Sequence, residues 1–163
     1  MTNIHIPSTI HFAFEGNSKS MIKVILSQNF NASAAEDFAA LDHINKLARL
    51  KTDLRSYRIA RDEEGLQLID VDVRFIVKQF PLRLKYTAVP NKYCELKMLK
   101  GALKQYEYRY TVMGDNVSAT VTVECSIRLP FRYFLVTPIL RAILKRRIKK
   151  ELLLLEKILH TTL

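Results

Sequence analysis

Glycine and proline are scarce in this sequence, with four and five residues in 163. So few turn-formers argue against a loop-rich or disordered chain. Cysteine is scarcer still. Cys94 and Cys125 both fall in strand-like runs without metal-ligand spacing, a pattern of buried reduced thiols rather than a disulfide. Long apolar runs are missing. The most apolar window, 134–144, contains Pro138 and Arg141 and falls well below the ~20 apolar residues of a membrane-spanning helix. The opening MTNIHIPSTIHF lacks a basic start and an unbroken apolar stretch, so no secretory signal is expected. These absences predict a soluble, cytoplasmic protein.

Catalytic signatures are missing too. There is no G-x-S-x-G turn and no phosphate-cradling glycine loop. His5, His11, His43 and His160 are scattered, without carboxylate or cysteine at ligand spacing, so neither a metal nor a cofactor is expected. Asp70 and Asp72 have the spacing of an acid pair, but they alternate onto the outer face of a strand and read as solvated. No residue is assigned as catalytic.

Acidic residues are outnumbered, 16 against 26 lysines and arginines, for a net charge of +10. Six of the ten residues 141–150 are basic. Such a cluster attracts phosphate on a nucleic acid or a lipid surface. No nucleic-acid motif accompanies it and aromatics are not interleaved with it, so no specific nucleic-acid partner is expected. Weak contact with an anionic membrane surface is the partner the charge suggests. The plainer reading is a solvated helix face that keeps the protein soluble.

What is present is patterning. Apolar residues make up 48% and charged residues 26%, enough for one domain over 1–163 with a sizeable core. Residues 9–14 and 21–30 read as strands joined by the turn Glu15-Gly16-Asn17-Ser18. Ser33-Ala34-Ala35-Glu36 matches a capping box opening a short helix with Phe38 and Leu41. A second short helix over 42–50 carries Ile44, Leu47 and Leu50 at helical spacing.

After Arg55 the period becomes two. Ile69, Val71, Val73, Phe75 and Val77 alternate with polar residues, breached by Ile76. Further strands follow over 82–87 (after a break at Pro81), 92–100, 106–112 and 117–129. The last two form a hairpin around Gly114-Asp115-Asn116. From Pro130 a long helix pattern runs to the end, with Leu140, Leu144, Ile148, Leu152, Leu155 and Leu159 in one apolar stripe.

This order predicts an α+β fold: a curved antiparallel β-sheet wrapped around a long C-terminal helix, with two short helices after the first long strand. Such a layout encloses more volume than side chains readily fill. The stretch NASAAEDFAAL at 31–41 resembles the opening helix of the START/SRPBCC (helix-grip) superfamily. LARLKTDLRS at 47–56 is similar to its second helix and exit, and the segment from Pro130 to its closing helix. The resemblance covers 21–159. The chain departs from it by having no tryptophan and an added strand at 9–14. The superfamily includes the birch-pollen allergen, coenzyme Q-binding proteins, lipid-transfer domains and polyketide cyclase-like proteins. The resemblance implies a cavity between sheet and helix that holds a hydrophobic small molecule; a minority of members are enzymes.

Tyr106, Tyr108 and Tyr110 occupy every second position, so their phenols share one face. They either line a pocket or pack with hydroxyls reaching solvent at the rim. Arg147 and Glu151 lie one helical turn apart beside the apolar stripe, where they can pair and hold a polar head group, or snorkel at the helix edge. The expected ligand-binding set is Phe75, Tyr106, Tyr108, Tyr110, Val121, Val123, Leu140, Leu144, Arg147, Ile148 and Glu151. The expected function is binding or transport of a lipid, quinone or polyketide-like molecule. The alternatives are a polyketide cyclase or dehydratase using Tyr108, Arg147 and Glu151, or a module docking on anionic membrane or RNA through the basic helix. Oligomeric state is left open.

Overall fold

Alternating apolar residues build most of the secondary structure. The computed structural model describes residues 11–13, 21–51, 53–63, 66–75 and 78–161. The chain runs His11–Ala13 (β1), Met21–Phe30 (β2), Ala34–Ala39 (α1), Ile44–Leu50 (α2), Leu54–Glu63 (β3), Leu66–Phe75 (β4), Lys78–Val89 (β5), Tyr93–Gly101 (β6), Gln105–Gly114 (β7) and Ala119–Arg128 (β8). A 3₁₀ segment, Phe131–Val136, then leads into Thr137–Thr161 (α3). The strands form one antiparallel sheet of eight in the order β1-β2-β8-β7-β6-β5-β4-β3.

The long strands set the core face. In β2 it carries Ile22, Val24, Leu26, Gln28 and Phe30; in β8 it carries Ala119, Val121, Val123, Cys125 and Ile127. These strands pair from Met21 opposite Arg128 to Phe30 opposite Ala119. A one-residue slip of either strand would turn its apolar row outward, so burial fixes the register. The α3 stripe Leu140, Leu144, Ile148, Leu152, Leu155 and Leu159 is buried in the same core. The expected helix-grip architecture is what the chain adopts.

The capping box forms as expected: Glu36 N donates to Ser33 Oγ (3.3 Å) and Ser33 N to Glu36 Oε2 (2.8 Å). The β7–β8 hairpin also forms. Its turn needs Gly114, because a Cβ there would lie 2.3 Å from the Ser118 carbonyl oxygen. Asp115 Oδ1 closes the turn, accepting from Val117 N (2.8 Å) and Ser118 N (2.9 Å).

Four expectations change. β3, expected only as a helix exit, is an edge strand with two register irregularities, flanked by exposed Arg58 and Arg61. Bulges and charge blunt an edge against unwanted pairing, and they also erase the alternation. Pro81 does not break its strand. It sits inside β5 opposite Asp72, and β6 pairing begins only at Leu82, so its missing N–H deprives no partner. Val117, 77% exposed, precedes β8 instead of starting it. The closing helix begins at Thr137, with Pro138 in its first turn, where a missing N–H is tolerated.

β1 occupies part of the expected strand at 9–14, and the turn at 15–18 lies outside the described residues. Ile76 and Val77 lie outside them as well. Asp70 and Asp72 face outward as expected, but each has a cross-strand partner. Arg83 donates twice to Asp70 (2.6 and 2.9 Å), and Ser56 Oγ donates to Asp72 (2.9 Å). The arginine holds the Asp70 carboxyl below its ordinary pKa.

Candidate functional site

Residues 106–112 of β7 turn every second side chain inward, which puts Tyr106, Tyr108 and Tyr110 in a row facing α3. All three are buried. The row is continuous with Phe75 of β4 and Phe80 of β5: ring centroids are 5.8 Å apart for Phe75–Phe80, 6.4 Å for Phe75–Tyr106, 6.4 Å for Tyr106–Tyr108 and 5.3 Å for Tyr108–Tyr110. Rings at these separations pack favourably edge-on or offset. The rim reading, with hydroxyls in solvent, does not hold for these tyrosines.

The hydroxyls meet a carboxylate. Glu151 of α3, 3% exposed, accepts on Oε2 from Tyr108 Oη (2.5 Å) and Tyr110 Oη (2.8 Å). Its Oε1 lies 3.6 Å from Lys51 Nζ, which is also 3.4 Å from Asp53 Oδ1. The ammonium stands 3.2 Å from the Tyr108 ring centroid, a cation–π contact made stronger by desolvation. Lys51 and Asp53 are 2% exposed. One cation and two carboxylates are thus enclosed among tyrosines in the grip of the sheet.

Burial raises the Glu151 pKa above the ordinary carboxyl value, against the opposing pull of Lys51 and the two phenols. Burial alone would lower the pKa of Lys51, but Asp53 and Glu151 outweigh it and the net shift is upward. The lysine is therefore held charged. Burial pushes all three tyrosines well above their usual range, so they remain neutral donors.

Hydrogen bonding in this cluster is incomplete. Neither Lys51 contact has hydrogen-bond geometry, and among the described residues Lys51 Nζ, Asp53 Oδ1 and Tyr106 Oη have no hydrogen-bond partner. Most buried polar groups in native proteins are satisfied, and an orphan costs about 1–3 kcal/mol. Lys51 Nζ and Asp53 Oδ1 still have each other as ion-pair partners at 3.4 Å, so the unmet capacity is centred on the Tyr106 hydroxyl.

Phe75, Val121, Val123, Leu140, Leu144 and Ile148 all lie in the same buried core as the tyrosines and Glu151. Arg147 is different. It is half-buried, and its Nη1 donates to the Arg74 carbonyl (2.7 Å), tying α3 to the end of β4. No ion pair joins it to Glu151 among the described residues, so the expected pair is replaced by Glu151–Lys51. Arg147 does act electrostatically on Tyr106.

Sequence reasoning missed Lys51 and Asp53. They follow directly on the apolar stripe of α2, in a stretch that reads as an ordinary polar helix exit. Arg74 N donates to the Asp53 carbonyl (2.9 Å), drawing that connection onto β4 and under the sheet. Such a long-range bond leaves no local signal.

Cys94 and Cys125 are buried free thiols, and burial raises both pKa values, that of Cys94 to about 12. That is the inert form of the residue. Two surface clefts contain none of the expected site residues. One of about 720 Å³ lies on the outer face of β3–β5, and one of about 380 Å³ lies between α1, α2 and the end of α3. Among the described residues no helix is long and apolar enough to cross a membrane, and no three His, Cys, Asp or Glu side chains are grouped to hold a metal.

No protein-family model matches the sequence, and no curated protein matches it. Solved structures do match the fold. A protein from Thermus thermophilus superposes with a TM-score of 0.72 at 10% identity, over 87% of this chain and 98% of that one. A START superfamily protein from Mycobacterium smegmatis gives 0.65 at 13% identity, over 88% and 99%. The Zhui aromatase/cyclase from Streptomyces sp. R1128 gives 0.64 at 10% identity, over 85% and 91%. The chain has the helix-grip fold of START/SRPBCC proteins.

Proposed function

We propose that this protein binds or carries an apolar small molecule, of lipid, quinone or polyketide type, between the sheet and α3. It acts as one domain in the cytoplasm. The observation that carries the reading is the buried cluster of Lys51, Asp53, Glu151 and the tyrosines inside an otherwise apolar grip. In it, Lys51 Nζ, Asp53 Oδ1 and Tyr106 Oη have no hydrogen bond among the described residues. A ligand with a carbonyl, hydroxyl or carboxylate at one end would complete those hydrogen bonds. Its apolar body would lie against Phe75, Val121, Val123, Leu140, Leu144 and Ile148. A few convergent polar groups in an apolar lining are the usual design of a small-molecule site.

A second reading has its own support. Glu151 is a buried carboxyl with a raised pKa, hydrogen-bonded to two phenols, the condition expected of an acid–base group. A cyclase- or dehydratase-type enzyme would use Glu151 with Tyr108, and the likeness to the Streptomyces aromatase/cyclase points the same way. Native mass spectrometry of protein purified without added ligand tests both readings. The expected result is one small molecule per chain, released on denaturation. Protein that emerges empty and takes up no fatty acid, quinone or polyketide analogue would overturn both. A poly-β-keto analogue returned unchanged marks a carrier, and its conversion marks an enzyme.

A further inference from the structure

Outside the grip, the described surface carries one apolar cluster that the fold does not use. Phe131 is 81% exposed, Leu135 84%, Ile139 58% and Phe134 41%. They belong to the 3₁₀ segment and the first turn of α3, and the Phe131 and Phe134 rings stack at 6.3 Å. Contiguous exposed apolar surface of this kind marks an interaction site more often than scattered apolar residues do.

Its surroundings identify the partner. Arg132 lies over the Tyr133 ring at 5.0 Å, and Lys78 donates to the Tyr133 hydroxyl (2.6 Å), so two cations flank the cluster. The outer side of α3 continues from it at helical spacing: Ile139, Ala142, Arg146, Lys149, Lys150 and Leu153 are exposed. Between Glu124 and Glu151 the chain has eight lysines and arginines and no acidic residue. The inner side of α3 is committed to the core, so only its outer side is open to a partner while the fold stays intact.

We propose that the 3₁₀ tip and the outer face of α3 dock the protein on an anionic phospholipid bilayer. Phe131, Phe134, Leu135 and Ile139 enter the headgroup region, and Arg132, Arg146, Lys149 and Lys150 meet the lipid phosphates. Surface-seeking helices combine these two terms, apolar insertion and attraction to acidic lipid. Leu135 and Ile139 favour lipid over RNA, because aliphatic side chains gain little from phosphates or base edges. None of the interior polar cluster takes part, so the inference stands apart from the ligand proposed above.

Vesicle flotation with the full chain tests this. The protein should float with phosphatidylcholine vesicles containing phosphatidylglycerol, stay behind with phosphatidylcholine alone, and detach as salt rises. Phe131→Ser with Leu135→Ser, and separately Arg146→Glu with Lys150→Glu, should each lower the bound fraction about tenfold or more. All four side chains are exposed, so circular dichroism should match the parent; if one pair perturbs the fold, the other still decides. Equal binding to neutral vesicles, no binding at low salt, or undiminished binding by a folded variant would overturn the proposal. So would single-stranded RNA that binds more tightly than the vesicles through Phe131 and Leu135.

Discussion

Lys51 ends α2 with its ammonium in the protein interior, where a charge survives only if it is paired. Asp53 and Glu151 supply that pairing, and the Tyr108 face adds to it. Removing the cation leaves two buried carboxylates facing each other, so Lys51→Met should cost about 3–5 kcal/mol, measured by urea unfolding. The loss should depend on pH. Without the ammonium, a carboxyl's folded-state pKa rises further above the 4.5 of a free glutamate. A carboxyl raised in the fold stabilises below its unfolded pKa and loses that contribution as pH climbs through the folded value. The deficit of Lys51→Met should therefore be smallest in mild acid and grow toward neutral pH. The tyrosine row and Glu151 were legible because residues at i and i+2 share a strand face and Glu151 lies beside the apolar stripe. Their connection to Lys51 was not, because exit residues carry no periodicity.

Secondary-structure elements divide in the same way. β2, β4, β7 and β8 bury one face only, so their alternation is plain in the residues. β3 is exposed on both faces over most of its length, so it has no pattern to show. α1 has six residues, too few to be stable by propensity alone, which makes its cap important. Ser33→Ala removes the oxygen that accepts from Glu36 N and should cost about 1 kcal/mol in thermal or urea unfolding. The Glu36 carboxyl sits below its ordinary pKa because it accepts from the Ser33 backbone and hydroxyl. That contribution is present above the unfolded value and fades as acid protonates the side chain. The difference between wild type and Ser33→Ala should thus narrow on acidification.

At the scale of the whole molecule, α3 and the inner face of the sheet share one contiguous core. Ile148, fully buried, sits midway along the α3 stripe between Leu144 and Leu152. Ile148→Ala should cost about 2–5 kcal/mol. The loss should appear as one earlier cooperative transition, with helix and sheet signals moving together in circular dichroism and amide exchange. By itself the sequence determined the architecture: period two for the long strands, period 3.6 for the closing helix, a capping box after the first long strand, and one shared face for three tyrosines. These are local patterns, and burial of one face makes them obligatory. Only the tertiary structure decided the site. It brought Lys51 and Asp53 under β7, gave Glu151 to them instead of to Arg147, and left Phe131 and Leu135 in the open. Pairing between charges and exposure of apolar groups depend on neighbours far apart in the chain, and no local repeat encodes those neighbours.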